Sequence, residues 1–183
     1  MIRRHTLVLF AALLVVAFAI SFAQTPSPAA APPQAKDTIL KVADINGQLF
    51  PTTVFFSGRT ATSQMDNVGG VRYADGHLVL AALVDSSGYA SQIRMKYQGY
   101  LITEVEIFIS GQTLKPGAYG FGFLDNNKFV AMDLGANDVL QATSTRDADI
   151  RHPMPLQIVA GAEAGDYRLY HGRDYIEFHR QGH

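Results

Sequence analysis

Residues 101–109 read Leu-Ile-Thr-Glu-Val-Glu-Ile-Phe-Ile, and this alternation limits what the chain can build. In an extended strand successive side chains point to opposite faces. Leu101, Thr103, Val105, Ile107 and Ile109 therefore share one face, while Glu104 and Glu106 lie on the other. One apolar and one wet face is the signature of an antiparallel sheet packed on one side. From Asp37 onward the apolar residues keep this period of two or fall in short runs, and all 16 glycines of the chain lie in this part. No stretch sustains a helical stripe. The expectation is an all-β domain over residues 37–183, a single, mainly antiparallel sandwich or barrel of about ten sequential strands.

Turn chemistry divides the domain. Residues 49–56 are β-branched and aromatic; Val71 to Tyr73 leads through Asp75-Gly76 into His77 to Val84; Gln92 to Tyr97 turns through Gln98-Gly99 into Tyr100 to Ile109. Ala118 to Leu124 returns through Asp125-Asn126-Asn127 into Lys128 to Leu134. Val139 to Thr145, Pro155 to Val159 and a final pair, Tyr167 to Tyr170 and Tyr175 to His179 around Gly172, complete the set. His77 to Val84 is apolar on both faces, which fits a central strand covered on both sides or a short buried helix. The bounding Asp75-Gly76 and Ser86-Ser87-Gly88 favour the strand. In Tyr119-Gly-Phe-Gly-Phe123, three aromatics share one face and Gly120 and Gly122 the other. A face without side chains admits a close neighbour, either a ligand or a bulky residue of the same chain.

The N-terminus carries an address. Arg3 and Arg4 precede an uncharged apolar run from Thr6 that ends in the small-residue pattern Ser21-Phe22-Ala23, the three parts of a secretory signal. Residues 1–23 are expected to be a signal peptide cut after Ala23. The same run nears the lower length limit of a membrane anchor, about 17 residues, but its tapered end favours cleavage. Residues 24–36 hold four prolines among alanines and form an extended tether. The expected location is periplasmic or extracellular, with no membrane span after cleavage.

Composition removes several chemistries. The formal charge of -1 is not that of a nucleic-acid binder, and the absence of cysteine excludes disulfides, thiolate metal sites and thiol nucleophiles. Gly-x-Ser-x-Gly, His-Glu-x-x-His, Ser-x-x-Lys and a phosphate-binding glycine loop are all missing. No catalytic residue, metal ligand or cofactor is assigned. Asp147-Ala148-Asp149 has the local look of a calcium loop without its glycine turn or distal glutamate, and reads as a solvated turn.

Leu114-Lys-Pro-Gly-Ala-Tyr119 resembles a turn-and-strand element of secreted bacterial β-sandwich domains. With Asp85-Ser-Ser-Gly-Tyr89 before it and Tyr167-Arg-Leu-Tyr-His-Gly-Arg173 after it, the pattern is similar to uncharacterised secreted bacterial β-sandwich or β-barrel proteins. The resemblance implies a fold class and no activity.

Three function classes follow. The first is a non-catalytic binding module for a small apolar or aromatic molecule or for an envelope protein. The last hairpin would bury one face and present Arg168, Tyr170, Tyr175 and His179 on the other, with Arg173 near its tip. Residues 60–70, the longest polar stretch, read as a loop able to contact a partner through Gln64 and Asn67. The second class is a structural or assembly protein of the envelope, working through an exposed edge strand. The third is a hydrolase using His171, Asp174 or His179.

Overall fold

The computed structural model describes residues 36–45 and 47–181. The expected signal and all but the last residue of the tether lie outside the described residues. The chain enters with β1 (Thr38–Leu40), a 3-10 turn at Val42–Asp44, β2 (Thr53–Phe56), β3 (Arg59–Arg72) and β4 (Leu78–Val84). A single helical turn, α1 (Ser91–Arg94), precedes β5 (Gly99–Thr103), β6 (Ile107–Ile109), β7 (Gln112–Leu114), β8 (Gly117–Leu124) and β9 (Lys128–Met132). β10 (Asp138–Thr143), β11 (Thr145–Arg146), β12 (Leu156–Ala160), β13 (Asp166–His171) and β14 (Asp174–Arg180) follow. Among the described residues no helix is long and apolar enough to cross a membrane.

The strands form two antiparallel sheets, as an all-β sandwich requires. The larger runs β1-β3-β4-β5-β8-β9-β10 with β2 added to β3, and the smaller runs β12-β13-β14-β6-β7 with β11 added to β14. Between them lies a core that includes Val79, Leu101, Ile107, Phe121, Phe129, Leu169 and Phe178. A second core covers the opposite face of the larger sheet, where Phe50, Val54, Phe56, Tyr89 and Tyr97 pack on Leu80, Ala82, Val130 and Met132. β4 therefore has rings and aliphatic chains above and below it, which is why its sequence is apolar without alternation. Where the sheets' edges meet, the Gln112 side-chain amide donates to the Gln141 carbonyl at 2.6 Å, joining β7 to β10. On the opposite side a methyl group added to Gly69 of β3 would sit 3.1 Å from the Ile158 backbone nitrogen of β12.

The structure corrects three expectations. Residues 60–70 are not a loop but most of β3, paired to β2 through Thr60–Thr62 and to β4 from Ser63 onward. Their alternation is carried by small residues: Ala61 and Ser63 are buried, and the Ser63 hydroxyl donates to the Pro51 carbonyl. Gln92 to Tyr97 is not a strand; the Ile93 carbonyl accepts from the amides of Lys96 and Tyr97, so the segment turns and delivers the Tyr97 ring beneath Phe56. The run from Leu101 to Ile109 keeps one buried face, as expected, yet it breaks at Glu104–Glu106. There Thr103 Oγ1 donates to the Val105 carbonyl, and the chain crosses from the larger sheet to the smaller. Both sheets face the same core, so the inward alternation survives a change of sheet.

Candidate functional site

The outer face of the smaller sheet is built by alternation on β12, β13 and β14. Leu169, Ile176 and Phe178 turn into the core. Their neighbours are placed by register in cross-strand rows, one of Gln157, Tyr170 and Tyr175 and one of Val159, Arg168 and Glu177. His179 pairs with Phe108 of β6 in the next row and stacks on it, with centroids 5.5 Å apart. Neighbours of this kind touch across a sheet. Arg168 Nε donates to Glu177 Oε2 at 2.9 Å, and its guanidinium carbon lies 4.7 Å from the Tyr175 ring centroid. The Glu177 bond raises the Arg168 pKa above its ordinary value.

Tyr170 belongs to this face, but it is buried where the sequence led us to expect it exposed. It retains 3% of its accessible surface. Its ring lies 4.9 Å from that of Tyr175, and its hydroxyl donates to Asp147 Oδ2 at 2.9 Å. The loop above it is pinned by Arg173, whose guanidinium reaches the carbonyls of Ala148 and Ile150 at 3.2 and 2.8 Å. The Asp147 amide donates to the Arg173 carbonyl in return. Arg173 is thus a clamp for residues 147–150, and Tyr170 is the floor they cover. The other Asp147 oxygen accepts from the amides of Asp149 and Ile150, so the motif closes an Asx turn. The Tyr170 hydroxyl, followed by those amides, holds the Asp147 carboxyl below the usual range.

Gln64 and Asn67 are not brought to this surface. They sit in β3 where its register against β4 slips, with residues 64–67 opposite Leu83 alone. Asn67 Nδ2 donates to Gln64 Oε1 at 2.9 Å, and Gln64 Nε2 to the Val84 carbonyl at 3.3 Å. The two amides repair the interrupted ladder of a bulge.

The three residues of the hydrolase reading are also separated. His171 is opposite Asp174 at one end of the β13–β14 ladder, and His179 is opposite Asp166 at the other, five residues or about 17 Å away. His171 stacks on Phe123 of the larger sheet at 5.8 Å, and burial pushes its pKa down. His179 Nδ1 lies 3.6 Å from Asp166 Oδ1. Among the described residues neither imidazole bonds a hydroxyl, and no three His, Asp or Glu side chains converge as metal ligands. Phe108 and Val159 were missed as members of the outer face. The signal was present for Phe108, which falls on the same side of the alternation as Glu104 and Glu106.

The Gly120–Gly122 face has a definite neighbour. A methyl group at Gly120 would sit 2.5 Å from the Phe56 ring, and one at Gly122 would collide with the Lys96 carbonyl. Phe56 and Tyr97 stack over this groove with centroids 4.0 Å apart. The chain itself fills the space that the glycines leave. In Leu114–Tyr119 the tyrosine has a local task, its hydroxyl donating to the Lys115 carbonyl at 2.9 Å across the Pro116-Gly117 turn.

No protein-family model, curated protein or solved structure matches the chain.

Proposed function

We propose that the domain is exported and acts as a non-catalytic binding module whose contact surface is the outer face of the smaller sheet. The observation that carries this reading is Arg168, held between Glu177 and the face of Tyr175 in a paired ladder, with Val159 and Phe108 half-buried beside it. Rings and an arginine already fixed in position lose little conformational freedom on docking, and such residues dominate protein interfaces. A small molecule is generally taken up in a concavity, so an open sheet face fits an envelope protein better. The Gln112–Gln141 bond ties β7 to β10 and speaks against assembly through those two strands. Export is supported by the charged, apolar and small-residue segments that precede Gln24.

Arg168→Ala/Tyr175→Ala should keep its melting temperature while losing a partner that the native protein captures from envelope extract. Tyr170 is left intact because it supports the loop above it. Identical partner lists for the two proteins would overturn the reading. Protein recovered from the envelope fraction should begin at Gln24, and a retained Met1 would remove the cleaved-export reading.

A further inference from the structure

An open groove of about 550 Å³ lies away from that surface, between the segment around α1 and the β8–β9 hairpin. Its volume is within the range of small-molecule sites, roughly 300–1,000 Å³. Met95 and Leu124 give it an apolar lining, and the Phe123 backbone forms part of its wall. Met95 is 65% exposed, the most open large apolar side chain among the described residues. An exposed flexible thioether is suited to adapting around an apolar chain.

The groove is framed by the same segment that roofs the larger sheet. The Gln98 side-chain amide grips the Phe123 backbone at both ends, donating to its carbonyl at 2.9 Å and accepting from its N–H at 2.8 Å. Gly122 lets the Lys96 carbonyl approach the sheet, and the fully buried Tyr97 anchors the same segment under Phe56. The rim carries Arg94, Lys96 and Lys128 against the single acid Asp125. Lys96 is neutralised by Asp138 at 2.9 Å. Arg94 and Lys128 make no ion pair among the described residues. In a chain of formal charge -1, this leaves an apolar recess with a cationic mouth. Lys128 also borders the polar cleft of Asn126, Asn127 and Gln141 on the far side of the hairpin.

We infer that the groove binds an alkyl carboxylate, its chain along Met95 and Leu124 and its carboxylate at the Arg94 and Lys128 rim. The apolar lining supplies a burial term proportional to the chain's area, and the two unpaired cations select the head group. The site is independent of the outer face of the smaller sheet.

The test is titration of the full chain with monomeric dodecanoate, followed by calorimetry and by amide chemical shifts. Saturable one-to-one binding is expected, with shifts centred on residues 92–98 and 123–128. Arg94→Ala/Lys128→Ala, at two exposed positions, should weaken dodecanoate by about tenfold, the scale of one charge-assisted contact, and leave dodecanol unchanged. Met95→Glu should weaken both ligands. Dodecyltrimethylammonium bound as tightly as dodecanoate, unsaturable uptake, shifts centred on Tyr175 and Arg168, or binding to anionic-lipid vesicles alone would each overturn the proposal. Arg168→Ala/Tyr175→Ala should bind dodecanoate like the native protein, so the two sites can fail separately.

Discussion

The two sheets of this domain treat their outer faces in opposite ways. The larger sheet is roofed by its own chain: the segments ending in Phe56 and Tyr97 fold over β8 and β4, with Gly120 giving the rings, and Gly122 the Lys96 carbonyl, room to reach the backbone. Among the described residues the smaller sheet has no such roof, apart from the loop at 147–150 over Tyr170. Its outer polar groups pair with one another instead, Arg168 with Glu177 and Arg146 with Asp174. A face covered by apolar rings gains hydrophobic free energy and loses access. A face of mutually paired side chains gains little stability and keeps its access. Stability should therefore concentrate on the larger sheet, and recognition on the smaller.

The sharpest way to break this contrast is Phe56→Ala. Phe56 is fully buried and stacked on Tyr97, and deleting such a ring costs about 3–5 kcal/mol when the site cannot collapse. Urea unfolding should show that loss; a cost as small as that of a surface substitution would mean the roof is not part of the cooperative fold. Gly122→Ala should come next. The added methyl meets the Lys96 backbone, which cannot rotate away as a side chain can, and overpacking of this kind costs about 1–3 kcal/mol. A neutral or stabilising result in the same unfolding measurement would show that the α1 segment is free to lift.

A pH experiment probes the boundary between the sheets, where His171 of the smaller stacks on Phe123 of the larger. Burial lowers the His171 pKa below its ordinary 6.5, with Asp174 opposing the shift. The folded state therefore resists the proton that the unfolded chain accepts first as pH falls. This contribution is fully present above about pH 6.5 and is lost as pH drops from there toward the folded-state value. His171→Phe should flatten that part of the stability profile, and an unchanged profile would remove His171 from the boundary. The smallest effect belongs to the open face. Arg168→Ala and Glu177→Ala should each cost less than about 1 kcal/mol, as partly exposed ion pairs do, and a double-mutant cycle should return a coupling of the same small size. A cost like that of Phe56→Ala would place Arg168 in the core rather than on a recognition surface.

The class of fold was legible in the chain because period-two alternation and turn residues are local properties. β8, β9, β13 and β14 lie within a residue or two of where those signals put them, and the uniform apolarity of His77 to Val84 marked a strand covered on both faces. The failures share a cause. In β3 the buried positions hold Ala61 and Ser63, too small to register as hydrophobic, so a long strand looked like a polar loop. In Ile93, Met95 and Tyr97 a period of two was present without a strand, since three residues cannot distinguish extended chain from a helical turn.

The hairpin's two faces also followed from sequence, and its inner and outer sides were assigned correctly. What the alternation could not report was that Asp147, more than twenty residues away, folds back over Tyr170, or that Arg173 holds it there. Nor could it say whether the glycines of β8 face a ligand or the chain's own Phe56 and Tyr97. Alternation is set by the backbone of each strand, so the sequence alone determines which side chains share a face. Which of those faces is then covered depends on contacts between segments far apart in the chain, and only the tertiary structure decides it.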